Sequence, residues 1–93
     1  MTVGTLTLKL IIREALSLKD KRRVLKSLKD LIRSRHNVSV AEVGAQDKRQ
    51  QAVLAVAMVG SDAQYVDGGL AKIVDFVRLH PVAQLLDYEL ELY

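Results

Sequence analysis

The chain opens on strict alternation. From Val3 to Arg13, Leu6, Leu8, Leu10 and Ile12 share one side, and Thr5, Thr7, Lys9, Ile11 and Arg13 the other. Period two over this length predicts a half-buried strand. The period then changes. Val24, Leu25, Leu28, Leu31 and Ile32 recur at helical spacing and form one apolar stripe. Ser17 is placed to cap this helix, because its hydroxyl accepts an orphan amide of the first turn. Asn37 is expected to end it in a left-handed conformation.

Val38 to Val43 is short and valine-rich, and reads as a second strand. Gly44 to Gln51 reads as a polar hairpin loop and Gln51 to Val59 as the returning strand. That strand is apolar on both faces: Ala52, Leu54, Val56 and Met58 on one, Val53, Ala55, Ala57 and Val59 on the other. Such a strand belongs at the centre of a sheet. Gly60, Ser61 and Asp62 read as a turn and cap. Val66, Leu70, Ile73, Val74 and Val77 then define a second amphipathic helix, stopped by Pro81. Gly68 and Gly69 lie inside it. Close approach of helix to sheet accounts for Gly69, and the sequence supplies no reason for Gly68. Leu86, Tyr88, Leu90 and Leu92 alternate with Asp87, Glu89, Glu91 and Tyr93, which predicts a last strand with one wet face.

The order is βαββαβ. Right-handed crossovers in both halves place the first and third strands in the middle. The expected fold is therefore α+β, a ferredoxin-like sandwich of four antiparallel strands with both helices on one face, and a single domain over residues 1–93. The other sheet face, with Thr5, Thr7, Ile11 and the outer side of the third strand, is then open to water. Homodimerisation through that face or through a sheet edge is expected.

Composition narrows the chemistry. With no cysteine, disulfides, thiolate metal sites and cysteine nucleophiles are excluded. The longest apolar run, Ala52 to Val59, has eight residues, well short of a membrane span. Met1 to Leu10 alternates, unlike a signal peptide, so the cytoplasm is the expected compartment. His36 and His80 each follow a helix, where caps and surface positions are their usual roles. Neither has partners at metal-ligand spacing, so no metal or other cofactor is expected. No two carboxylates are spaced for acid–base catalysis, and an enzyme is not expected. Central strands without Phe, Tyr or Trp exclude a stacking platform for RNA bases.

Charge is divided unevenly. Residues 1–36 hold ten Lys/Arg against three acids, net +7, whereas the remainder holds four against eight, net −4. On a helical wheel, Lys19, Arg22, Lys26, Lys29 and Arg33 fall within about 80° of arc and form a ridge about 20 Å long, with Arg23 at its margin. Asp30 is the one acid among them. Like charges at i, i+3/i+4 spacing cost a few tenths of a kcal/mol per pair, which suggests an external anion, with a solvated helix face as the equal alternative. Lys21 and Arg35 lie nearer the apolar side. Their stems are expected to cover the core edge while their heads reach water. Glu42 and the hairpin loop read as a solvated tip, with partner contact as the alternative.

Several stretches carry a family resemblance: Ser17-Leu18-Lys19-Asp20-Lys21-Arg22-Arg23, Asn37-Val38-Ser39-Val40-Ala41-Glu42-Val43, Gln46-Asp47 and Val59-Gly60-Ser61-Asp62. Together the chain resembles the YlxP-like family of short bacterial proteins of unknown function. The resemblance implies the same ferredoxin-like fold and no established activity. Relatives commonly carry an aromatic after Gln46-Asp47. Here Lys48-Arg49-Gln50 stands instead, so a contact made by that aromatic has no counterpart. Family members are often encoded beside translation and ribosome-maturation factors.

The leading expectation is a non-enzymatic accessory protein that binds structured RNA or a ribosomal particle through Lys19, Arg22, Arg23, Lys26, Lys29 and Arg33. Replacing Arg22, Lys26 and Arg33 together by Gln is then expected to abolish binding. The alternative is a dimeric small-ligand regulatory or scaffold module.

Overall fold

The computed structural model describes residues 1–93. The elements follow in the order β1 (Thr2–Ile11), α1 (Leu18–Arg35), β2 (Ser39–Gly44), β3 (Gln51–Gly60), α2 (Ala63–Arg78) and β4 (Gln84–Leu92). The strands form one sheet in the order β2-β3-β1-β4, and every pairing is antiparallel. This is the ferredoxin-like sandwich that the hydrophobic pattern predicts, with β1 and β3 central.

The inward side chains of the central strands, Leu6, Leu8, Leu10, Ala52, Leu54 and Val56, are almost wholly buried. They meet Leu25, Leu28 and Ile32 of α1 and Val66, Leu70, Ile73 and Val77 of α2 in one core. Each such large side chain contributes about 1.5–3 kcal/mol through burial. Leu31 lies at the margin of the α1 stripe and is exposed. Gly69 has the expected role: a Cβ there would stand 2.7 Å from Met58 Sδ and Cε, too close without a shift.

Both helix starts are capped as the sequence predicts. Ser17 Oγ accepts from Asp20 N at 3.1 Å, and Asp20 Oδ2 accepts in return from Leu16 N at 3.2 Å. Asp62 Oδ1 accepts from Tyr65 N at 2.8 Å. Each cap satisfies an amide that the helix itself leaves unpaired.

The end of α1 differs from expectation. Asn37 is not left-handed, since Ala45 is the one non-glycine residue with positive φ. The helix closes instead at His36, with extended φ −138° and its N–H on Ile32 O. Its ring packs edge-on against Phe76 at 6.4 Å between centroids, which holds the chain in that exit direction.

The face assignment of β4 also needs correction. Its pairing with β1 slips between Lys9 and Leu10, where Lys9 opposes Asp87 and Leu10 opposes Leu85. Leu86 is the extra residue, exposed at the bulge, and Leu85 packs against the core in its place. A bulge reverses the parity of alternation on its far side. A second slip, between Glu42 and Gly44, leaves Val43 exposed. Glu42, opposite buried Leu54, then stands on the helix-covered side of the sheet.

Candidate nucleic-acid interface

Six basic residues define the interface expected from sequence, all on α1. The stripe that buries Leu25, Leu28 and Ile32 turns them outward, so their common side follows from core packing. Lys19, Arg22, Arg23, Lys26 and Arg33 are exposed, and Lys29 is half-buried.

The structure divides the six by their partners. Lys26 Nζ donates to Asp30 Oδ2 at 2.8 Å, with the lysine side chain still 77% exposed. Arg33 Nη1 lies 3.5 Å from Asp30 Oδ1. Its Nη2 donates to Val40 O of edge strand β2 at 2.6 Å, which ties this residue to the sheet. Arg23 stands 4.0 Å from Asp20, at the outer limit of an ion pair. Lys19, Arg22 and Lys29 have no carboxylate within 4.0 Å. Six cations against Asp20 and Asp30 leave four positive charges in excess. Exposed pairs of this kind contribute little to stability and are readily exchanged for other partners.

Asp30 is the electrostatic brake on the ridge. The hydrogen bond from Lys26 is the largest influence and holds its carboxyl below the usual carboxylate range; desolvation opposes it, and the charges of Lys26, Arg33 and Lys29 add to the lowering. It therefore remains ionised at neutral pH.

Lys21 is not solvent-reaching, contrary to expectation. Its side chain is 0% exposed. Nζ donates to Ala45 O at 2.8 Å and to Gln51 O at 3.1 Å, with a longer contact to Gln46 O at 3.5 Å. Glu42 Oε2 lies 3.0 Å away as counter-charge but accepts no hydrogen bond, because the three ammonium protons are directed at carbonyls. Gln50 adds a second tie, donating to Arg13 O at 3.0 Å and Ala15 O at 3.2 Å. Lys21 thus fastens the hairpin turn to the first turn of α1, and Gln50 fastens it to the connection before α1, so neither Glu42 nor this part of the turn is a free tip. Lys21 falls near the apolar side of the wheel, which is the only sequence signal of this role.

Arg35 remains exposed, with its guanidinium 5.1 Å from the Phe76 ring centroid. His80 accepts through Nδ1 from Ala83 N at 3.1 Å and Val82 N at 3.3 Å. It folds the turn before β4, and burial lowers its pKa. No three His, Asp or Glu residues gather to hold a metal ion. No helix is long and apolar enough to cross a membrane.

The family described as "Protein of unknown function (DUF503)" matches residues 3–90. The chain belongs to this family. The chain is also similar to the Bacillus subtilis (strain 168) protein called "Uncharacterized protein YlxP", at 33% identity over 79 residues, covering 85% of this chain and 86% of that protein. Neither description carries an activity.

Proposed function

We propose that this DUF503 protein is a non-enzymatic accessory protein of the cytoplasm that binds structured RNA or a ribosomal particle along the outer face of α1. One observation carries the reading: Lys19, Arg22 and Lys29 share a helix face over about 15 Å and have no carboxylate within 4.0 Å. A rigid row of cations meets several phosphates at once and releases their counterions. The helix offers no aromatic platform, so recognition is by backbone and shape, with little base preference. Self-association through the open sheet face is compatible with this, because the helices lie on the opposite side. Sedimentation showing only a 10.4 kDa species at micromolar concentration removes the dimer from the reading.

The test is binding to a structured RNA across a salt series. Three free cations give a slope of log K against log salt of about −3. Lys19, Arg22 and Lys29 are the set to replace by Gln, because Arg33 also braces β2 and its loss would disturb the sheet edge. The triple variant is expected to keep its circular dichroism spectrum and lose binding. Binding equal to that of the parent would reduce the ridge to solvated decoration.

A further inference from the structure

A cleft of about 350 Å³ lies between the end of α1 and the first half of α2, apart from the basic ridge. This is within the size range of small-ligand sites. Arg35 and His36 form one wall, Tyr65, Gly68 and Lys72 the other, and Met58 of β3 is among the lining residues. No carboxylate lines it. Neither Arg35 nor Lys72 has a carboxylate within 4.0 Å, so the cleft holds two uncompensated cations and an imidazole. The Phe76 ring under Arg35 restrains the guanidinium. Burial lowers the His36 pKa, and the charges of Arg35 and Lys72 lower it further, as expected of a positive local field.

Gly68 is the second observation. A glycine inside a helix weakens it relative to alanine, and packing does not require this one: a Cβ there would meet no protein atom within 4 Å. The bare backbone faces the cleft beside the exposed ring of Tyr65. A flat group can lie against that wall while an anion reaches Arg35 and Lys72.

We propose that this cleft binds a small phosphate monoester carrying a planar ring, a nucleoside monophosphate in chemical class. Arg35, Lys72 and His36 hold the phosphate, and Tyr65 and the Gly68 backbone take the ring. Two permanent cations and one titratable donor match a dianion better than a single carboxylate. The site is independent of the α1 ridge and of RNA binding there.

The probe is adenosine monophosphate, titrated into the ¹⁵N-labelled full chain and followed by amide chemical shifts. Saturable shifts are expected at Asn37, Gly68 and Gly69, and adenosine without its phosphate is expected to produce none. Lys72→Gln weakens binding about tenfold or more, the loss of one charge-assisted hydrogen bond. Gly68→Ala weakens it several-fold while leaving the melting temperature equal or higher, which separates occupied space from lost fold. The Lys19, Arg22, Lys29 triple variant binds the nucleotide as the parent does. The proposal is overturned if no shift saturates at millimolar nucleotide, if Lys72→Gln binds unchanged, or if the shifts map to the ridge.

Discussion

Lys21 Nζ stands 2.8 Å from the carbonyl oxygen of Ala45, the one non-glycine residue in the left-handed region, at φ 56°. The relationship explains both residues. The turned backbone of Ala45 and the bulge at Val43 leave carbonyls pointing into the sandwich, and a buried ammonium from α1 collects them.

Removing that ammonium leaves carbonyls and the Glu42 carboxylate without their partner. Lys21→Met is expected to lower unfolding free energy by about 3 kcal/mol, the scale of breaking a buried charge pair from one side. Urea unfolding with an unchanged m value measures it. Adding Glu42→Gln to Lys21→Met should recover part of the loss, because the orphaned charge is then gone. A single-variant loss below about 0.5 kcal/mol, within the range of ordinary surface substitutions, would show that Lys21 is not a structural tie.

Ala45 is strained for a residue with a Cβ. Left-handed backbone costs roughly 1–2 kcal/mol in such residues. Part of this is returned by the greater freedom glycine has when unfolded. Ala45→Gly is therefore expected to stabilise the protein by about 0.5–1 kcal/mol. A lower thermal midpoint in Ala45→Gly would contradict it.

Asp30 partly neutralises Lys26 and Arg33. If the ridge binds phosphates, Asp30→Asn adds one net positive charge to the contact surface. RNA affinity then rises, and the salt slope steepens by up to about one unit. The helix loses its i,i+4 pair with Lys26. Unchanged or weaker RNA binding by Asp30→Asn would place the contact surface elsewhere.

His80 accepts two backbone hydrogen bonds through Nδ1, which requires that nitrogen to be unprotonated. Burial lowers its pKa below the ordinary 6.5. The unfolded chain therefore takes up this proton first as pH falls. The contribution of His80 is fully present above about pH 6.5 and is lost as pH falls from there through the folded-state value. His36, lowered first by burial, acts in the same direction. Denaturant midpoints across this window should fall on acidification, and less in His80→Asn, whose side-chain carbonyl accepts without titrating. Equal pH dependence in the two proteins would exclude His80 as a source.

Element order, the central position of β1 and β3, both helix caps and the outward basic face of α1 were legible in the sequence. All of them depend on periodicity and capping within a few residues, or on the handedness of a β–α–β crossover, and those rules operate on any chain with this pattern. The fate of Lys21 was not legible, because its acceptors lie 24 to 30 residues away. The same wheel position suits a snorkelling head or a buried one until the hairpin arrives. The parity of β4 changed at a bulge that no local alternation records. Gly68 has no explanation within its own helix and acquires one only when α1 ends across from it and leaves space between them. Local pattern determined which side chains face the core except beside the β4 bulge, whereas tertiary packing decided which charges lost water and which kept it. Burial of a charge depends on the partners that distant segments deliver.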